Sequence, residues 1–440
     1  MRLRFATPDN GKNEANIPLD RSILESSHAH SCLGRYSRQV KGFLEKFDSH
    51  YTKFAVAKTF SAFLALIFSV LYSRQLGTDS RGIVSALFLT SLISSEVLLG
   101  AINLKIRTTH LTKLNTKVVS DYIVISLFGS LLIGTITSCS LIAYSELKTN
   151  IATPFILISF LYGFVVSCLI QLVNLELSFG NFSLVWRLEL ACVIIQVGIY
   201  LCLSYVNLFS ISINLIVSVV ASYIFVITYA LLNLGISYLR QLKLSLRVGK
   251  QFVRLSHGNA IYIISTSILD RLDRIIVLIL FTSTTFAKFS VLTGLVLFFR
   301  FIPDFYSKII LSKRITRWNT SERALTWLLS GAVLVAIPIG STFVNLIIRL
   351  ILGPEWVLPI EVVFMVIFSE FLRAIFIIRI NTRLATLSFE NKHSTLSLSA
   401  LVTSMIVSLV CLYQRNLIII PLAMTVGYTY SFILSTKFEK

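Results

Sequence analysis

The chain has 440 residues, of which 55% are hydrophobic and only 14% charged. A soluble domain carries about a quarter charged residues, so an ordinary water-soluble fold is excluded. The net charge of +19 is that of a membrane protein whose inner loops collect Lys and Arg, and it needs no nucleic-acid partner to explain it.

The first 53 residues are polar. Residues 1–33 show no periodicity and too little apolar surface to build a core. They also lack the apolar segment and cleavage site of a signal peptide. Within them His28, His30 and Cys32 stand close together, a spacing read here as chance in a polar tail rather than a metal site. Tyr36, Val40, Phe43, Leu44, Phe47 and Tyr51 then recur at helical spacing, with Arg38, Lys41 and Lys46 between them. That pattern predicts an amphipathic helix on the inner leaflet.

From residue 54 onward the chain is a series of apolar runs, each long enough to cross a hydrocarbon core of about 30 Å. Twelve spans are predicted: 54–72, 83–104, 118–143, 151–173, 184–205, 210–234, 258–281, 287–309, 326–348, 358–380, 394–413 and 417–436. The connections near 105–117, 235–256, 310–325 and 381–393 hold most of the Lys and Arg, while the alternate connections are short and poor in them. Charge bias therefore puts both termini in the cytoplasm. The predicted organisation is a tail (1–53), an N-lobe of six helices (54–234), a basic inter-lobe loop (235–257), a C-lobe of six helices (258–436) and a short cytoplasmic tail (437–440). The fold class is all-α and polytopic, with two six-helix lobes around a central cavity. Six plus six is a common transporter plan. Five of the six cysteines lie in or beside apolar runs with no CxxC pair, so neither a disulfide framework nor a metal centre is expected.

Charges inside the spans are the feature that calls for explanation. The run "SILDRLDRIIV" (267–277) puts Asp270, Arg271, Asp273 and Arg274 in the middle of the seventh span. Each costs about 2.5–3.5 kcal/mol at a helix centre facing lipid, so that face must meet other helices or water. Helical spacing places Asp270 four residues before Arg274, close enough to pair. Lys58, Glu96, Arg300, Asp304, Glu370 and Arg373 also fall within spans. Three readings are open: an ion-pair knot between lobes, a helix that starts later and leaves the charges near an interface, or a functional site, since intramembrane charges are expensive to keep. Taken together, Lys58, Arg271, Arg274, Arg300 and Arg373 suggest a hydrated basic cavity for an anion, because the guanidinium fork suits phosphate. Pro303, Pro338 and Gly340 mark places where spans could bend.

No catalytic motif is present: no G-x-S-x-G, H-E-x-x-H or phosphate-binding GxxxxGK[ST]. The outer connections are too short to hold an enzyme's outer catalytic domain. The chain is therefore not expected to be an enzyme, and no cofactor is expected.

Four stretches carry a family resemblance. "SRQLGTDSRG" (73–82) is similar to an R-x-LG-x-x-x-x-G connector, "LDRLDRIIV" (269–277) to an Asp/Arg-bearing helix that opens a second half, "ILGPEWVLPI" (351–360) to a G-P-x-aromatic outer turn, and "ATLSFENKHS" (385–394) to an inner loop. In that order they resemble the polysaccharide repeat-unit flippases of the multidrug/oligosaccharidyl-lipid/polysaccharide exporter superfamily. The connector after the seventh span departs from the family's Gly-x-Tyr and reads Ala287-Lys288-Phe289.

The resemblance implies an alternating-access flippase of a bacterial cytoplasmic membrane. Its cargo would be a polyprenyl-pyrophosphate-linked oligosaccharide, and a polysaccharide polymerase and chain-length proteins would be its partners. On that reading Arg271, Arg274, Arg300, Arg373 and Lys58 hold the anionic headgroup, and Asp270, Asp273, Glu96 and Glu370 bind a coupling proton or sodium ion. A drug/cation antiporter of the same superfamily is the main alternative. A peptidoglycan-precursor flippase and an integral-membrane assembly enzyme are further ones.

Overall fold

The computed structural model describes residues 49–108, 116–148, 153–179, 181–207, 209–234, 260–296, 339–386 and 391–437. Residues 1–48, with most of the tail and of its expected amphipathic helix, the basic 235–256 loop, and Arg300, Pro303, Asp304 and Pro338 lie outside them. Every regular element among the described residues is helical.

The elements in chain order are α1 (Ser49–Thr108), α2 (Thr116–Lys148), α3 (Thr153–Ser178), α4 (Phe182–Val206) and α5 (Ile211–Leu234). They are followed by α6 (Ala260–Leu269), α7 (Leu272–Leu280), α8 (283–296) and α9 (Ile339–Ile351). A 3₁₀ turn at Pro354–Trp356, entered through Gly353 with φ of 112°, leads into α10 (Ile360–Thr386), α11 (Asn391–Gln414) and α12 (Ile419–Lys437). The turn stands where "ILGPEWVLPI" predicts one. Five of these helices are long and apolar enough to cross a membrane.

The connector expected at 73–82 is not a loop. Helix continues through it on both sides of a single non-helical residue, Gly77 (φ 71°, ψ 174°). A straight helix would put Ser69 and Arg81, twelve residues apart, at roughly 18 Å along the axis. Yet Arg81 Nη2 donates to Ser69 Oγ at 3.3 Å. The chain therefore reverses at Gly77, and α1 is a hairpin of two membrane arms. Only a residue without a Cβ adopts that left-handed φ at little cost, which is why one position can replace a whole loop.

The bundle exposes large apolar side chains, as the bilayer demands, and its apolar interior also holds buried hydroxyls. Phe60, Leu132, Leu157, Phe225, Leu350 and Ile406 are exposed, whereas serines 95, 130, 159 and 167 are buried. Ser130 Oγ donates to Ser167 Oγ at 2.9 Å, tying α2 to α3. Small residues and hydroxyl bonds are the usual means of helix association where lipid is as apolar as leucine.

Two large apolar clusters dominate the buried residues. One cluster joins both arms of α1 to α2, α3, α4 and α5, through Phe68, Val84, Leu141, Tyr162, Tyr200 and Leu215. Another joins α7, α8, α9, α10 and α12, through Val277, Phe289, Ile348, Val363 and Ile420. Ala86 and Leu89 of the second arm of α1 belong to that second cluster, so this arm is shared between the halves.

Candidate functional site

The second arm of α1 runs antiparallel to the α6–α8 segment along its length. Gly82 lies against Ser283, Glu96 pairs with Arg271, and Gly100 lies against Ile263. Descending one helix means climbing the other, which defines a continuous seam between the halves.

At one end the seam is latched. Thr284 Oγ1 donates to Asp79 Oδ1 at 2.6 Å, and Ser283 Oγ donates to the Asp79 carbonyl at 3.2 Å. A Cβ on Gly82 would collide with Ser283 Oγ and sit 2.6 Å from the Ser283 carbonyl oxygen. The approach is closed to any larger residue.

Midway along the seam are the charges. The seventh span, expected as one helix over 258–281, is broken: α6 ends at Leu269 and α7 begins at Leu272. Arg271 leaves the helical region (φ −133°, ψ 7°), and its N–H bonds Ile268 O at 3.0 Å, a three-residue turn. The break changes the pairing that helical spacing suggests. Arg274 Nη2 donates to the Asp270 carbonyl at 3.0 Å rather than to its carboxylate, and its Nε lies 3.6 Å from Asp273 Oδ1.

The Asp270 carboxylate instead takes Arg373 of α10, which donates from Nε to Oδ1 at 2.8 Å and places Nη2 2.6 Å from Oδ2. Arg373 Nη1 also donates to Glu370 Oε1 at 3.0 Å. Across the seam, Arg271 donates from both terminal nitrogens to the two oxygens of Glu96 at 2.5 Å. This fork-to-carboxylate geometry is the strongest form of the pair. Burial is graded: the Glu96 side chain is 36% exposed, that of Arg373 only 2%.

The fold thus brings Glu96, Asp270, Arg271, Asp273, Arg274, Glu370 and Arg373, all candidates from the sequence, to the middle of the molecule. Their electrostatics differ from a basic lining, however. Among these residues three guanidiniums face four carboxylates, and each guanidinium has a carboxylate partner. Arg300 lies outside the described residues, and Lys58 is on α1 with its side chain outside them. The described residues contain no group of three or more His, Cys, Asp or Glu suited to a metal ion.

Between the latch and the charges lies a cavity of about 510 Å³, walled by the second arm of α1, α2 and α7 through Thr90, Ile93, Leu141, Tyr144, Ile275 and Leu278. Its wall is overwhelmingly apolar. Exposed Ile279 stands at its rim. Ile93 and Ile275 are each about one helical turn from Glu96 and Arg271, so the cavity leads toward the charged cluster.

One residue that sequence reasoning missed is Arg81. Read as part of a loop, it lies instead in the second arm of α1, 6% exposed, with its guanidinium 4.4 Å from the centre of the Tyr72 ring. The signal available was its place four residues after Gly77, one turn into a helix.

No protein-family model matches the chain, and no curated protein matches it. Solved structures do. An inward-facing multidrug resistance MATE family transporter of the MOP superfamily aligns with 86% of this chain and 96% of its own, at 12% identity and a TM-score of 0.59. An outward-facing conformation of such a transporter covers 88% and 93%, at 12% identity and a TM-score of 0.58. A MOP superfamily transporter from Pyrococcus furiosus, described as having a binding pocket of reversed polarity that suggests a different function, covers 88% and 95% at 11% identity, with a TM-score of 0.52. The chain has the all-helical fold of MATE-type transporters.

Proposed function

We propose that this chain is a multi-pass membrane transporter that works by alternating access, with the seam between α1 and α6–α8 as the surface on which its halves separate. The observation that supports this most directly is the seam itself. It carries a hydroxyl latch on Asp79 at one end and a buried ion-pair network in the middle, discrete contacts of the kind that switching transitions make and break. Solved structures of this fold in inward- and outward-facing forms support the same cycle. With the termini placed by the Lys/Arg bias, the latched end is the outer one.

Two cargo classes remain, and each has its own support. An organic cation, exchanged for a proton or sodium ion, is favoured by the multidrug transporters among the structural neighbours and by the surplus carboxylate of the central cluster. On this reading Asp273, Asp270, Glu96 and Glu370 bind the coupling ion, and the arginines hold them in place. A lipid-linked oligosaccharide is favoured by the motif order in the sequence and by the apolar cavity at the seam. On that reading the arginines meet the anionic headgroup.

The test uses cells lacking the protein. Lipid-linked oligosaccharides are extracted and their leaflet is assigned with a membrane-impermeant sugar-labelling reagent, while drug susceptibility is scored in parallel. Cation exchange predicts normal surface polymer with raised drug sensitivity. Repeat units trapped on the inner leaflet, with surface polymer lost, identify the lipid-linked cargo.

A further inference from the structure

We infer that Arg81 is an oxyanion-binding residue inside the N-terminal half, closed in this state and opened when the outer latch releases. The observation is one of charge compensation. In the central cluster Arg271, Arg274 and Arg373 each have a carboxylate. Arg81, 6% exposed, has none within ion-pair distance among the described residues. Its Nη2 donates to Ser69 Oγ, while Nε and Nη1 are buried without a hydrogen-bond partner among them.

A buried cation whose partners among the described residues are a hydroxyl and an aromatic face is poorly compensated by them. The Tyr72 ring offsets part of the cost of desolvation, but removing a charge from water is expensive without a counter-charge. The two groups against the guanidinium, the Ser69 hydroxyl and the Tyr72 ring, are both neutral, and Tyr72 belongs to the buried apolar cluster of the N-terminal half. The free N–H groups of a guanidinium suit the paired oxygens of a phosphate or related oxyanion.

Placement gives the site its access. Asp79, Arg81 and Gly82 share one helical turn. Asp79 and Gly82 face the C-terminal half through Thr284 and Ser283, while Arg81 faces the N-terminal half. Releasing the latch frees the turn that holds Arg81 against Tyr72. The inference rests on the alternating-access reading but not on either cargo.

The experiment uses the full chain in nanodiscs of phosphatidylcholine, with inorganic pyrophosphate as probe and ionic strength held constant. The variants are Arg81→Met, Arg81→Lys and Gly82→Leu, the last chosen to wedge the latch. Binding is followed by calorimetry and folding by thermal unfolding. Pyrophosphate is expected to bind the wild type, and to bind Gly82→Leu more tightly. Arg81→Met should weaken binding roughly tenfold to a hundredfold, the worth of charge-assisted hydrogen bonds, with no loss of thermal stability because a buried unpaired charge is being replaced by an apolar chain. Arg81→Lys keeps the charge and loses the fork, so it should fall between. A second series with phosphatidylglycerol in the nanodisc identifies the source: competition with pyrophosphate marks a lipid headgroup, and its absence marks a free anion. Equal pyrophosphate affinity in wild type and both Arg81 variants overturns the inference, as does no binding to wild type or Gly82→Leu. Either result leaves the cellular leaflet and drug assays to judge the transport reading separately.

Discussion

Arg373 holds the centre of the molecule at the scale of single residues. It is 2% exposed and serves two carboxylates, Asp270 in the α6–α7 break and Glu370 on its own helix. Removing it leaves both acids uncompensated in a low-dielectric interior, where breaking a buried pair costs about 3–5 kcal/mol. Arg373→Ala is therefore expected to lower stability by that order, read from denaturant unfolding in detergent micelles. Replacing all three together, with Arg373→Met, Asp270→Asn and Glu370→Gln, should recover most of the loss, because charge and counter-charge leave at once. If the triple variant is no more stable than Arg373→Ala, the network contributes by shape rather than charge. The presence of these charges is legible in the sequence, and so is the requirement that they avoid lipid. The long-range partners are not, because Asp270 and Arg373 are 103 residues apart in the chain and Glu96 and Arg271 are 175 apart, whereas helical spacing sees only pairs such as Glu370 and Arg373 on one helix.

At the scale of elements, α1 and the α6–α7 break carry the lesson. The sequence shows two apolar arms separated by a polar stretch, which reads as helix, loop, helix. The structure needs no loop, since Gly77 alone turns the chain. A Cβ at Gly77 would meet nothing within 4 Å, so the cost of substitution lies in the backbone alone. Gly77→Ala is expected to destabilise by roughly 1–3 kcal/mol, the cost of holding an L-residue at positive φ with extended ψ. Thermal unfolding of the purified protein checks this, and a neutral result would mean that the turn relaxes to another φ. The α6–α7 break is invisible to periodicity for the opposite reason. No Pro or Gly stands at 270–271, and Arg271 at the break pairs with Glu96 of a different helix, a contact that local periodicity does not carry.

For the whole molecule, the expected outcome concerns the seam. Gly82→Leu puts a side chain where Ser283 already stands, so the latch at Asp79 and Thr284 should open. The reporter is Ser283→Cys in a background lacking the native cysteines. Its labelling by a membrane-impermeant maleimide should rise several-fold when Gly82→Leu is added. Unchanged labelling would mean that the halves separate along a different surface. The Glu96–Arg271 pair lies deeper in the same seam, so opening at the latch need not break it; the two contacts can be released in sequence.

The sequence by itself determined the all-helical membrane class of this protein and the set of charges that cannot face lipid. Those follow from local quantities, the hydropathy of a window and the cost of a charge in hydrocarbon. Tertiary structure alone decided which carboxylate answers which guanidinium, that the C-terminal arginines of the cluster are paired while Arg81 is left without an acid among the described residues, and that one glycine replaces a connector. The physical reason is common to all three. Ion pairing, close approach and chain reversal depend on distances between segments far apart in the chain, and hydropathy and helical period carry no information about those distances.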